Sequence, residues 1–559
     1  MTDFSNKVVY QIYPKSFRDT NGDGIGDIPG VIEKLDYLQD LGVDYLWLTP
    51  FFVSPQRDNG YDVADYRKIN PMFGTMEDVE NLISEAKKRG IGLMLDMVFN
   101  HTSTEHEWFQ KALAGDEKYQ NYYIFKEGTA GQCPTNWQSK FGGTAWEYVP
   151  KFGKWYLHLY DVTQADLNWD NPDVREELKE ILRFWKKKGI HAFRFDVINL
   201  VSKPEKMVDD FEGDGRRFYS DGPHIHEYLK EMVRDTGIED FVTVGEMSST
   251  SVEHCIRYSS PKEKELSMCF NFHHLKVDYK NGDKWALMEP DYRALKALFK
   301  EWQMKMQAGD GWNALFWCNH DQPRIVSRMG DETTYWKESA KMLAGMIHLM
   351  RGTPYIYQGE EIGMLNAHYP SIDRYRDVES LNYYQILLNQ GKSEKEALEI
   401  LSARSRDNSR TPMQWNDEKY CGFSTAEPWL PVSDAFKKGI TVSAQKDDED
   451  SILAFYKKLI SLRKEYPVIA KGEIEFLETE SDKIVAYCRS LGSDRLTVFC
   501  NLGRKEQTVP FDETCRNGQV LLENYKDQKE QNFAGQESYT LRPYEILVIE
   551  SKADGNPGK

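Results

Sequence analysis

The sequence predicts an α/β protein: a (β/α)8 barrel, interrupted by an inserted domain after its third strand and followed by an all-β sandwich. Three observations carry this. Eight short apolar runs recur between residues 8 and 359, with helical stretches between them. From about residue 471 the pattern changes to short strands alone. Acidic residues gather at the C-terminal ends of the apolar runs, where barrels of this class keep their chemistry.

The predicted barrel strands are Val8–Pro14, Val43–Pro50, Gly92–Val98, Ala192–Val197, Phe241–Met247, Leu266–Phe272, Asn313–His320 and Thr353–Gly359. Each is a near-continuous apolar run, as strands buried on both faces require. Helices such as Thr75–Arg89 and Val174–Lys188 carry apolar residues three and four apart. Residues 1–101 and 169–470 are thus assigned to the barrel, with a polar excursion over 364–450 and a closing helix over Ser451–Glu465. Residues 102–168 are long, aromatic and irregular, and read as the inserted domain. Ile484–Cys488, Leu496–Asn501, Glu506–Val509, Val520–Leu522 and Ile546–Glu550 read as strands of a sandwich over 471–552. The polar end from Ser551, and 553–559 above all, is expected to be disordered.

A net charge of −18 argues against a nucleic-acid partner, since no basic stripe is present. No apolar run is long enough to span a bilayer, and the polar N-terminus lacks the pattern of a secretory signal. Eight scattered cysteines, none in a CxxC pair, suit free thiols in a reducing compartment. The expectation is a cytoplasmic monomer acting on a small molecule, with no organic cofactor.

The strand ends carry Asp96-Met-Val-Phe-Asn100-His101, Arg194-Phe-Asp196, Gly245-Glu246 and Asn319-His320-Asp321. One such Asp would be read as a helix cap. Four acids converging on one mouth repel each other, which points to catalysis. Glycoside hydrolysis needs two carboxyl groups, and Arg194 next to Asp196 favours its ionised, nucleophilic form. Glu246, with no cation adjacent in sequence, suits a general acid. Asp321 with His320 suits stabilisation of an oxocarbenium-like transition state.

Those four segments resemble the signature regions of glycoside hydrolase family 13, and Gln164-Ala-Asp-Leu-Asn168 resembles a further motif of that family with Ala165 in place of Pro. The resemblance implies a retaining α-glucosidase with Asp196 as nucleophile, Glu246 as acid/base and Asp321 as stabiliser. It further implies that Asp58, Tyr61, His101, Arg194, His320 and Arg410 hold the non-reducing-end sugar; Arg410 is preferred to Arg406 on resemblance alone. Tyr160 stands where related enzymes often carry Phe. Val197 resembles members that cut α-1,6 or α-1,1 links.

The run Asp19-Thr-Asn21-Gly-Asp23-Gly24-Ile25-Gly26-Asp27 alternates oxygen ligands like a calcium loop, although Gly30 stands where the closing Glu would be. An Asp/Asn/Gly turn without metal is the plain alternative. Three Asp on one short loop favour a cation, and the resemblance implies structural Ca2+, with Mg2+ as second choice, on Asp19, Asn21, Asp23, Ile25 and Asp27.

On the leaving-group side, Arg216 and Arg217 lie in a Gly-rich segment after strand four, and His273, Lys276 and Lys284 follow strand six. Guanidinium forks and exposed backbone N–H groups are the parts of an anion site. The segments Tyr10–Phe17, Pro134–Trp146, Glu212–Pro223, Phe270–Tyr279 and Trp312–Arg324 resemble family members that hydrolyse α,α-trehalose 6-phosphate. A phosphorylated disaccharide is therefore the expected substrate, with neutral isomalto-oligosaccharides as the alternative. Surface pairing with nearby acids is the plain reading of any one of these basic residues.

Overall fold

The computed structural model describes residues 3–526 and 533–552. The expected terminal disorder over 553–559 lies outside them. Eight strands form the barrel: β1 (Val9–Ile12), β2 (Tyr45–Leu48), β3 (Gly92–Met97), β4 (Ala192–Phe195), β5 (Val242–Glu246), β6 (Met268–Phe270), β7 (Ala314–Leu315) and β8 (Thr353–Tyr357). They run parallel in the order β6-β5-β4-β3-β2-β1-β8-β7. A parallel bridge between Cys269 and Asn313 closes the ring. The eight-strand expectation is thus met, with each strand shorter than its apolar run.

Register decides which side chains meet. Arg194 on β4 lies beside Asp96 on β3 and Val244 on β5. The rest of β4 is apolar and fully buried, so Arg194 is a charge inside a dry wall, tolerable only where carboxylates face it.

The surrounding helices form for local reasons. Met76–Lys88 begins at Thr75, whose hydroxyl accepts from the Asp78 N–H while the Asp78 carboxylate accepts from the Thr75 N–H. Pro172–Lys187 is capped by Asn171 and buries Val174, Leu178, Ile181, Leu182 and Trp185 at helical spacing. No helix of the described residues is long and apolar enough to cross a membrane.

The chain leaves the barrel through His101–Ser103 and returns through Gln164–Asp166, and these two strands pair antiparallel. Between them lies a three-stranded antiparallel sheet of Phe125–Glu127, Lys154–Leu157 and Trp146–Val149. Its core of Trp137, Trp146, Trp155 and Leu157 continues into Val197, Leu200 and Tyr219 of the segment after β4. The 364–450 excursion builds a small core of its own around Tyr384, Leu387, Ile400 and Leu401, packed on Trp285.

The C-terminal region is a five-stranded antiparallel sheet accompanied by a two-stranded ribbon, Gln507–Pro510 with Ser538–Leu541. Glu473–Phe476 and Ser538–Leu541 were not expected from sequence, because their alternation is short and mostly exposed. Ser551 belongs to the strand Ile546–Lys552, pairing with Arg495, so the polar end begins later than expected. All eight cysteines are free; seven are buried and Cys133 is exposed.

Candidate active site

The floor of the pocket is built around Arg194. Its Nη1 donates to Asp96 Oδ1 and to Asp196 Oδ1, each at 2.6 Å. Its Nη2 abuts Glu246 Oε2. The sequence reading found no cation adjacent to Glu246; in space the same guanidinium touches both carboxyl groups, so that contrast between them does not hold. Burial would disfavour the Arg194 charge, but Asp96 and Asp196 outweigh it and hold the guanidinium firmly protonated. Asp96 also accepts from Trp47 Nε1 (3.0 Å) and Tyr61 Oη (2.8 Å). Burial, against Arg194 and reinforced by Asp196, pushes the Asp96 carboxyl up to about 6. Of Asp196, only Oδ1 is engaged among the described residues.

Asp321 forms the opposite wall. Burial alone would raise its carboxyl, but His320, Arg406 and Arg410 outweigh burial and hold it well below the ordinary range. The contacts are His320 Nε2 at 3.1 Å, Arg410 Nη2 at 2.7 Å and Arg406 Nη1 at 3.3 Å. His320 is stacked face to face on Tyr61, with centroids 5.0 Å apart. Its Nδ1 lies 2.8 Å from Gln11 Nε2, and burial lowers its basicity. His101 is likewise pushed toward the neutral form by burial, with Nε2 3.1 Å from the Tyr61 carbonyl. Asp58 accepts from Gln164 Nε2 of the returning strand (3.1 Å) and pairs with Arg406 (3.0 Å). Burial dominates there, and the Asp58 carboxyl rises to about 7 despite Arg406 and Arg410.

Asp58, Tyr61, His101, Tyr160, Asp196, Glu246 and Asp321 all line this one pocket. Arg194, His320 and Arg410 stand one layer behind and hold the lining acids. Arg406, passed over in favour of Arg410, lines the pocket itself. Its fork reaches Asp58, Asp321, Asp377 and Glu379, and it lies over the Phe141 ring of the inserted domain. Two guanidinium groups four residues apart in Arg406-Asp-Asn-Ser-Arg410 gave no local sign of which one faces outward.

The basic candidates divide. Lys276 and Lys284 line the pocket, Lys284 in an ion pair with Glu379 at 2.6 Å. Arg216 sits at the rim, its fork taken by Asp214 at 2.9 Å. Arg217 and His273 do not line the pocket. Arg217 is tied to Asp210 (2.8 Å) and Glu212 (2.6 Å) away from the pocket. His273 stacks on Trp302, with Nε2 2.8 Å from the Thr250 carbonyl. Sequence reasoning missed Lys140 of the inserted domain, which lines the pocket. Its only signal was its place in the segment Pro134–Trp146. Neither Lys140 nor Lys276 has a carboxylate within ion-pair distance among the described residues.

The Asp19–Asp27 loop lies apart from this pocket. Asp19 accepts from the Gly22 and Gly24 N–H groups (2.8 and 2.9 Å), and Asp27 from Thr20 and Gly30. Among the described residues no three His, Cys, Asp or Glu side chains form a metal-holding group, and the loop's remaining candidate donors, the Asn21 amide oxygen and the Ile25 carbonyl, are of another kind.

The family model for the alpha amylase catalytic domain matches residues 11–472. The chain is 52% identical over 548 residues to the trehalose-6-phosphate hydrolase of Bacillus subtilis, covering 97% of each. It is 45% identical over 552 residues to the oligo-1,6-glucosidase of Parageobacillus thermoglucosidasius, again covering 97% of each. The crystal structure of the Bacillus licheniformis trehalose-6-phosphate hydrolase superposes with a TM-score of 0.93 at 52% identity, covering 99% of this chain and all of that one. A family model matched over residues 11–472 and 52% identity over nearly the full length of the Bacillus subtilis relative lead to one assignment: the chain belongs to the alpha-amylase family of glycoside hydrolases.

Proposed function

We propose that the chain hydrolyses α,α-trehalose 6-phosphate to glucose and glucose 6-phosphate by double displacement. Asp196 attacks the anomeric carbon through the oxygen that Arg194 leaves free. Glu246 protonates the departing glycosidic oxygen, then takes a proton from the water that opens the glucosyl-enzyme. Retaining enzymes hold such carboxyl groups about 5–5.5 Å apart, and here both stand against the one Arg194 guanidinium. Asp321, kept ionised by His320, Arg406 and Arg410, faces the positive charge that develops on the sugar ring. Asp58, Arg406 and His101 close the pocket behind a single glucose.

One observation carries the choice of substrate: Lys140 and Lys276 line the pocket without a carboxylate partner. A neutral glucoside offers neither amine an anionic partner, whereas a phosphate answers both. The test is kcat/KM on trehalose 6-phosphate, trehalose and isomaltose side by side. A preference of ~100-fold or more for the phosphorylated sugar is expected, equal to about 2.7 kcal/mol of differential binding. Comparable or better turnover of isomaltose would make this an oligo-1,6-glucosidase.

A structural Ca2+ or Mg2+ on Asp19, Asn21, Asp23, Ile25 and Asp27 is a separate proposal. It is supported by the hard oxygen donors and by the lack of any ion pair to these acids among the described residues. A Tm unmoved by Ca2+ and by chelator rejects it. Free buried thiols support a reducing, cytoplasmic location, and a monomer is proposed; an elution volume fitting a dimer of the 559-residue chain would reject the latter.

A further inference from the structure

This inference rests on the reading of the pocket as a sugar-phosphate site. Lys140 comes from the inserted domain, and its backbone N–H donates to the Leu159 carbonyl at 2.8 Å, which fixes where the side chain departs. Its ammonium hangs over the Tyr219 ring, 5.3 Å from the centroid. From the segment after β4 it faces Arg216 and Asp214, and from the segment after β6 it faces Lys276. The one acid in this group, Asp214, is already clasped by the Arg216 fork. Farther along the wall Lys284 is neutralised by Glu379. Lys140 is therefore a half-buried amine with two cations opposite and a single, already committed carboxylate.

We propose that Lys140 binds the phosphate of the substrate and takes up a proton from water as the dianion docks, so that recognition of the phosphorylated leaving group is coupled to proton uptake. The balance is simple. A neutral amine, a phosphate dianion and one proton from the buffer give an ammonium–phosphate pair, and no other bond changes. Burial first, then Arg216 and Lys276, lower the free amine to about 7, so near neutrality it exchanges its proton readily. A sugar phosphate is chiefly the dianion above its second pKa of about 6, and its charge favours the ammonium. Lys276 is lowered as well, by burial and then by Arg216, and it is the more exposed of the two side chains.

The measurement is calorimetric titration of the Asp196→Asn protein with trehalose 6-phosphate at pH 8.5, in two buffers of different ionisation enthalpy. Uptake of about one proton per site is expected. Adding Lys140→Arg keeps the cation but cannot take up a proton, so binding persists and the buffer dependence vanishes. In the wild type, kcat/KM for trehalose 6-phosphate divided by that for a neutral aryl α-glucoside should fall by about 50-fold between pH 7 and 9, because Lys140 passes from half to about 1% protonated. Taking the ratio removes Asp58, Asp96 and other groups common to both substrates. Buffer-independent heats with a flat ratio, while the phosphorylated sugar stays preferred, overturn this inference and leave the proposed function standing. Uptake that survives Lys140→Arg assigns the proton elsewhere and also overturns it. Failure to bind the phosphorylated sugar at all sinks the functional reading itself.

Discussion

Replacing Arg406 by Met tests the electrostatic account of the pocket most directly. The guanidinium is 6% exposed and Asp58 3%, so their contact is a buried pair. Breaking such a pair costs about 3–5 kcal/mol when a charge is stranded. The other acids in reach are less dependent on Arg406: Asp321 keeps Arg410 at 2.7 Å, Asp377 keeps Arg410 at 3.6 Å, and Glu379 keeps Lys284 at 2.6 Å. Asp58 has no second ion pair among the described residues, so the loss should sit at the lower end, about 3 kcal/mol at pH 8. The pH dependence gives the sharper test. The folded Asp58 carboxyl lies near 7, above its unfolded value, so the folded state holds a proton that the unfolded chain lacks between about pH 4 and 7. That proton stabilises the fold on the acid side, and its contribution is lost as pH rises through 7. At pH 5.5 Asp58 is therefore neutral and gains little from Arg406. A double-mutant cycle of Arg406→Met with Asp58→Asn, read from urea midpoints, should give a coupling of about 1–3 kcal/mol at pH 8 that shrinks toward zero at pH 5.5. Additive effects at pH 8, or equal coupling at both pH values, would refute the assignment of Asp58 as the acid that depends on Arg406.

Asp196→Asn should lower kcat by at least ~10^4-fold with an unchanged melting temperature, and the wild type should release α-glucose first in an NMR time course; β-glucose first would reject double displacement. Lys276→Met should cut kcat/KM for the phosphorylated substrate by about 10–100-fold, and a loss that did not weaken in high salt would speak against a charge contact. Because seven cysteines are buried, a thiol reagent on native protein should label Cys133 rapidly and the others only on unfolding, as mass spectrometry of the labelled peptides would reveal.

The barrel was legible because buried parallel strands leave continuous apolar runs, and because Asp96, Asp196, Glu246 and Asp321 end four of them. What the sequence hid was tertiary. Arg194 sits two residues before Asp196, so that contact could be read locally, but its contact with Glu246 crosses from β4 to β5. Arg406 is the N-cap and Arg410 the last residue of the four-residue helix Asp407–Arg410, so they lie one turn apart on nearly the same face and the spacing does not say which lines the pocket. Lys140 lies far from every barrel strand in sequence and reaches the pocket only because the inserted domain folds back over it. Arg217 and His273 share the composition of an anion site, yet each finds a partner outside the pocket, which no local pattern records.

The paired strands His101–Ser103 and Gln164–Asp166 join the inserted domain to the barrel through adjacent ends, while its core runs on into Val197, Leu200 and Tyr219. A module grafted through adjacent ends can be exchanged, lengthened or rebuilt with little strain on its host. Since Lys140 rides on the graft while Asp196 and Glu246 belong to the host, substrate preference and bond-breaking chemistry are free to evolve at different rates. Grafting residues 102–168 of a relative that acts on neutral sugars, together with the stretches that carry Tyr219 and Lys276, would move the first while leaving Asp196 and Glu246 in place.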